Sequence, residues 1–306
     1  MKTIYLHIGV HKTGTTHLQR ILLENQPKLQ ARGYYYPKTG IPSFIFGHHK
    51  VAWAVKHGDY IERPFEGVVI DLKGVWEGLI DEIESIDSDH IIISCEYFCL
   101  YSQEYIRELK KRLDKYHIKV ILCIRKQTDF LKSLYSENVK TGCGESFQNF
   151  FHTRKFRCDY AAILRDWESE IGAENIAVQR YSKHCLLKDF FCNVGLADLE
   201  IDDLKVSSSK TNVSLSGQLL KALRWMNALC LNVLGIPYAP YRKFLLKPFQ
   251  GQKTSKLFSK IPSFLLDDEI VTPEVAKAIM DEFAACNEEV ASKYFPELQG
   301  SLFGDT

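Results

Sequence analysis

No run of about 18 or more apolar residues occurs in this chain, which excludes a bilayer-spanning helix from the sequence alone. The first apolar stretch, M-K-T-I-Y-L-H-I-G, is too short for the core of a secretory signal, and no cleavage-site pattern follows it. No C-x-x-C pair occurs among the nine cysteines, whose number is odd and whose positions are scattered. A disulfide framework and a cysteine-rich zinc site are thereby disfavoured. Reduced, buried thiols in a cytoplasmic protein are the better expectation. Excess charge is lacking too. With 39 Lys and Arg against 38 Asp and Glu, the formal net charge of +1 excludes a protein that simply coats nucleic acid. Internal repeats, low-complexity tracts and evident linkers are also missing.

One absence is local. No Asp or Glu stands between Leu204 and Asp267, while that stretch carries Lys205, Lys210, Lys221, Arg224, Arg242, Lys243, Lys247, Lys253, Lys256 and Lys260. A block of one sign attracts anions such as nucleotide phosphate, an acidic glycan or anionic lipid, although a solvated basic face has the same composition. Tyr238, Tyr241, Phe244, Phe249 and Phe258 interleave with these cations, which suits sugar stacking or peripheral contact with a membrane surface. A packing extension is the plainer alternative.

The 306 residues, 45% hydrophobic and 25% charged, have globular composition and enough apolar material for a large core. Thr3 to Ile8 reads as a buried strand, followed by a glycine-containing turn and a helix over Thr15 to Gln30. Further strands are expected at Asp89 to Cys95, Ile118 to Ile124 and Asn175 to Gln179. The first two are continuous apolar runs of the kind covered by helices on both faces of a parallel sheet. Helices are expected over Glu104 to Tyr116, Thr128 to Lys140, Tyr160 to Ile171 and Ser214 to Leu231. A last helix starts at Thr272-Pro273 and runs to Lys293, with Thr272 as its N-cap. The expected fold class is α/β: a central, mainly parallel, P-loop-like sheet flanked by helices, with a helical C-terminal extension. The chain is read as one domain over 1–306, of which 228–306 form a basic, aromatic extension.

Three places carry chemistry. The first is G-V-H-K-T-G-T-T, Gly9 to Thr16, between a strand and a helix start, where free backbone N–H groups and the helix dipole favour an anion. Lys12 adds a full charge, Thr15 and Thr16 add hydroxyls, and Gly14 admits close approach. The pattern nearly matches the nucleotide-triphosphate loop G-x-x-x-x-G-K-[ST], but Thr15 stands where that loop has its lysine, which weakens a kinase or NTPase reading. A turn that merely caps a helix is the bland alternative. The second is Arg125, at the end of a strand, with Ser133 eight residues on in the next helix; an arginine fork there suits a phosphate. The third is Glu96, directly after a strand, a candidate general base whose burial would raise its pKa toward neutrality. A salt-bridged or helix-capping glutamate is its bland counterpart. Competing bases are His11, beside Lys12, and His48 and His49, which look helical and suit an acceptor cleft. His7 reads as a core imidazole. No companion at ligand spacing marks His48 or His49 as a metal site, so no metal is expected.

H-I-G-V-H-K-T-G-T-T-H-L-Q resembles the 5′-phosphosulfate loop of sulfotransferases that use 3′-phosphoadenosine-5′-phosphosulfate (PAPS), above all the bacterial carbohydrate-type branch. The R…S pair matches that family in type, spacing and order. The resemblance implies sulfuryl transfer to a hydroxyl or amine, with PAPS as co-substrate, 3′-phosphoadenosine-5′-phosphate (PAP) as product and no metal. It implies Lys12 on the transferring group, Thr13, Gly14, Thr15 and Thr16 on the 5′-phosphate, Arg125 and Ser133 on the 3′-phosphate, and Glu96 as base. Arg154 and Lys210 become further phosphate contacts. His11, His48, His49 and Arg154 form the set expected near the substrate. The implied acceptor is a carbohydrate or glycolipid, met in the cytoplasm or at the inner face of a membrane. The likeness covers roughly Lys2 to Asn227 and lacks the R-K-G type of donor-covering loop. Two readings stand beside it: an ATP-using P-loop kinase, and a non-catalytic nucleotide- or glycan-binding module.

Overall fold

The computed structural model of the chain describes residues 1–63, 68–201, 204–205, 217–241, 270–298 and 300–304. Its strands are β1 (Thr3–His7), β2 (Tyr34–Tyr35), β3 (Tyr60–Arg63), β4 (Val68–Asp71), β5 (His90–Ser94), β6 (His117–Ile124) and β7 (Ile176–Arg180). Five of them form one sheet in the order β2-β5-β1-β6-β7, and every pairing within it is parallel. β3 and β4 make a separate antiparallel ribbon. The helices are α1 (Thr15–Glu24), α2 (Gln26–Gln30), α3 (His49–His57), α4 (Val75–Ser85), α5 (Gln103–Arg112), α6 (Gln127–Lys140), α7 (Phe147–Arg154), α8 (Tyr160–Ile171), α9 (Leu186–Asn193) and α10 (Gly217–Asn227).

The strands are apolar on both sides because both faces are covered. Ile4, Leu6, Ile91, Ile93, Val120 and Leu122 belong to one core cluster, against Leu79 of α4, Leu109 of α5, Leu131 of α6 and Trp167 of α8. Tyr5, Ile92 and Ile121 alternate to the other face, beneath Leu18 and Leu22 of α1 and Phe190 of α9. Leu220, Ile279, Val290 and Leu302 join the first cluster, so the C-terminal helices Pro273–Glu282 and Ala284–Tyr294 pack on the same core. Thr272 caps the first of these, its hydroxyl accepting from the Val275 N–H at 3.4 Å.

Three helical expectations need correction. The helix expected over Thr15 to Gln30 breaks at Asn25, because Pro27 has no N–H to continue a ladder and sits in the first turn of α2. The final helix breaks at Phe283, which is buried in the core. α10 passes into a π-helical turn over Ala228–Val233. The start of the Ser214 helix and most of the basic aromatic segment lie outside the described residues. Among the described residues no helix is long and apolar enough to cross a membrane.

The strand order decides the site. β1 lies between β5 and β6, so the loops leaving all three carboxyl ends meet at one edge, where ligands sit in open α/β sheets.

Candidate functional site

The pairing of β1 with β6 outlasts the strand: the Ile8 N–H donates to the Ile121 carbonyl at 2.9 Å and the Val10 N–H to that of Cys123 at 3.2 Å. The chain then turns into α1 in a few residues, with φ of 65° at Lys12 and 76° at Gly14. Lys12 is the one non-glycine at positive φ among the described residues, a conformation costing on the order of 1 kcal/mol. The buried Thr13 hydroxyl donates to the Val10 carbonyl at 2.6 Å and pins the turn. A Cβ on Gly14 would lie 2.6 Å from Leu186 Cδ2, so this glycine serves packing as well as its left-handed φ. Thr15 is buried and Thr16 exposed. Gly14 at the N-cap has no side chain to cap α1 and no acid occupies its first turn, which suits its N–H groups to an anion.

Arg125 follows β6 directly and therefore stands beside this loop. Its Nη1 donates to the Lys12 carbonyl at 2.8 Å, and its guanidinium stacks 5.1 Å from the centre of the Tyr181 ring. The buried Tyr160 hydroxyl donates to the Arg125 carbonyl at 2.5 Å. Ser133, half-buried, and Glu137 lie one turn apart on one face of α6. Lys12 Nζ is 3.5 Å from Glu137 Oε2, so that face looks onto the loop. Lys140 is pulled below the usual lysine range by burial and by the charge of Lys12. The two anion motifs thus share one edge. Lys210 lies outside the described residues.

Glu96 opens the turn after β5, its side chain 15% exposed. Gln19 Nε2 donates to Oε2 at 3.2 Å, and His49 Nε2 lies 3.4 Å from Oε1. Burial works to raise the carboxyl, but the His49 contact and the imidazoles of His49 and His11 outweigh it and hold the group at about 2. The expectation of a carboxyl tuned toward neutrality is overturned. His49 Nδ1 is 3.1 Å from the Gly47 carbonyl, so both ring nitrogens face oxygen atoms. His48 has a structural place: its Nδ1 accepts the Ser94 N–H at 3.1 Å, and its Nε2–H donates to the Pro37 carbonyl at 2.9 Å. Burial depresses it to about 4, so it is neutral and fully occupied. His7 is likewise buried, with Nδ1 2.8 Å from the Ser94 hydroxyl.

His11 is held at about 4 by burial and by the charges of Arg157 and Lys12. Its ring meets Tyr97 edge-on at 5.2 Å and its nitrogens lie 3.3 and 3.4 Å from Arg157 Nη2. Arg154 ends α7, above the Phe150 ring and close enough to Arg157 to lower its pKa, though burial is the larger cause there. Sequence reasoning missed Arg157, Glu137 and Gln19. The run T-R-K-F-R-C was the one hint of the first, and the S-x-x-x-E spacing on α6 of the second. It also found no metal companions for His49, yet the fold brings Cys95 and Glu96 to it, with ligand atoms within 4.8 Å of one another. Burial drives the Cys95 thiol well above its usual range, so it keeps the proton a metal would have to displace.

A concavity of about 1240 Å³ opens elsewhere, between Lys126 and Thr128 at the start of α6 and the C-terminal helices at Met280 and Asn287; Lys12, Glu96 and Ser133 do not line it. No protein-family model matches the chain, and no curated protein does. Among solved structures, a sulfotransferase from Alicyclobacillus acidocaldarius is similar with a TM-score of 0.46 and 15% identity, over 76% of this chain and 96% of its own. Mouse sulfotransferase SULT7A1, complexed with PAP, is similar with a TM-score of 0.37 and 11% identity, over 92% of this chain and 88% of its own. At such identities a superposition says nothing about the side chains of the site.

Proposed function

We propose that the chain is a PAPS-dependent sulfotransferase. The observation that carries the reading is the hydrogen bond from Arg125 Nη1 to the Lys12 carbonyl at 2.8 Å, which joins two anion-binding motifs far apart in sequence at one sheet edge. An uncapped helix start on one side and an arginine with a serine on the following helix on the other suit the two ends of one 3′,5′-bisphosphorylated adenosine. The mononucleotide-triphosphate reading needs no second phosphate site and has no lysine at the helix start.

In this reading Lys12 leaves Glu137 to meet the charge that grows on the bridging oxygen. The acceptor hydroxyl oxygen attacks sulfur, the bond from sulfur to the 5′-phosphate oxygen breaks with its electron pair on departing PAP, and the hydroxyl proton passes to Glu96. Attack makes that hydroxyl far more acidic, so a carboxylate of low basicity still takes its proton. His49 orients Glu96. The acceptor is a carbohydrate or glycolipid, reached in the cytoplasm or at the inner face of a membrane, the basic aromatic segment supplying its contacts. Incubation with sulfur-labelled PAPS and fractionated host glycans and lipids is the test. Label should move to one fraction, and Lys12→Ala should lose about 100- to 1000-fold in rate. Full turnover by both Lys12→Ala and Glu96→Gln would overturn the roles of these two residues.

A further inference from the structure

Arg157 lies on the short turn Lys155–Cys158 after α7, and its side chain points inward to the loop of Lys12. Among the described residues its buried Nε has no hydrogen-bond partner. Its Nη2, among the described residues, meets the neutral imidazole of His11 alone. Among the described residues no carboxylate pairs with it, whereas the more exposed Arg107, Arg112 and Arg165 each hold one at 2.7 to 3.1 Å. The charge of Glu137 reaches Arg157, but that carboxylate lies 3.5 Å from Lys12 Nζ, and a desolvated guanidinium with no carboxylate in direct contact is costly. Such a cost is kept where an anion arrives to offset it.

The place narrows the anion. His11 precedes Lys12, and its ring packs on Tyr97, the neighbour of Glu96. Arg157 therefore stands beside the residue that precedes the loop lysine and near Tyr97, the neighbour of the base. The 5′-phosphate has the N–H groups of α1 and the 3′-phosphate has Arg125. What lies beyond the 5′-phosphate toward the base is the group in transit. We propose that Arg157 is an oxyanion ligand that holds the sulfuryl oxygens of the bound donor, with Lys12 and beside His11. This rests on the sulfotransferase reading. Arg157 exchanges no proton in the step; it contacts the non-bridging oxygens while the sulfur changes partners. His11, neutral, accepts from one arm of the guanidinium and aims the rest.

Titration calorimetry of the full chain with PAP and with PAPS, for wild type, Arg157→Gln and Arg157→Lys, separates this role from its rivals. A charge-assisted hydrogen bond contributes about 1.5–3 kcal/mol, so Arg157→Gln should weaken PAPS roughly 10- to 100-fold. PAP lacks the sulfuryl group, and its affinity should stay within about threefold, a margin below that same bond's worth. Arg157→Lys should recover part of the loss, and it carries the comparison should the glutamine variant fail to fold. Equal loss of PAP and PAPS would make Arg157 a nucleotide-phosphate ligand and overturn the proposal. So would unchanged PAPS affinity with a raised KM for the acceptor, which would mark an acidic acceptor group instead. If wild type bound neither nucleotide, the sulfotransferase reading would fall first, and this proposal with it.

Discussion

Glu96 was legible as a candidate base because an acid directly after a buried strand stands at the sheet's ligand edge. Its ionisation was not, because it depends on His49 from α3 and His11 from the loop after β1, brought in by folding. Burial alone would have raised it; the contact with His49 and the imidazoles of His49 and His11 reverse the sign. The stability this carboxylate contributes is therefore full above its unfolded value near 4.5 and is lost as pH falls toward 2. Removing the imidazole should release the burial effect. We expect His49→Ala to move the acid limb of the pH profile of kcat/KM upward, out of the wild-type position near the bottom of the accessible range. An unmoved limb would show that His49 does not set Glu96. Glu96→Gln should lower kcat by roughly 100- to 10,000-fold, the usual worth of a general base. Arg157 stayed hidden for a related reason: nothing local distinguishes it from Lys155, which lies on the same turn and pairs with Glu282.

Though its reading as an anion cradle belongs to the proposed function, the tight turn from β1 to α1 was legible from Gly9 to Thr16, since glycine and threonine cluster between a strand and a helix there. The left-handed φ of Lys12 was not. It yields a clean separation of charge from backbone. Lys12→Gly and Lys12→Ala should lose turnover alike, while the glycine variant is the more stable by about 1 kcal/mol in denaturant unfolding, because only glycine holds that φ without strain. Equal stabilities would say the backbone at Lys12 relaxes. Gly14→Ala should destabilise by about 1–3 kcal/mol, as overpacking of a filled site does, since the new methyl meets Leu186. The main strands were read to within a residue or two because their apolar runs are continuous. β2 was missed, being only Tyr34–Tyr35, and so was the ribbon of β3 and β4. Asn25 divides what periodicity joined as one helix.

The fold class followed from alternating strands and helices, but the adjacency that makes the site did not, since strand order is not written in any local pattern. Placing β1 between β5 and β6 brings Lys12, Glu96 and Arg125 to one edge. The same core sets a response to acid. His7 and His48 are buried and depressed to about 4, so the unfolded chain binds their protons first. Their contribution to stability is full above about 6.5 and declines as pH falls toward 4. Calorimetry near pH 5 should show uptake of about two protons on unfolding from this pair, and a stability slope of about 3 kcal/mol per pH unit. For sulfuryl transfer at this edge, a single nucleotide must reach both anion clusters. Calorimetric titration with PAP and with adenosine 5′-phosphate, on wild type and on Arg125→Ala, puts that directly. Wild type should bind PAP far more tightly, and the preference should collapse in Arg125→Ala. Equal affinity of wild type for the two nucleotides, or tighter binding of ATP with magnesium, would contradict it.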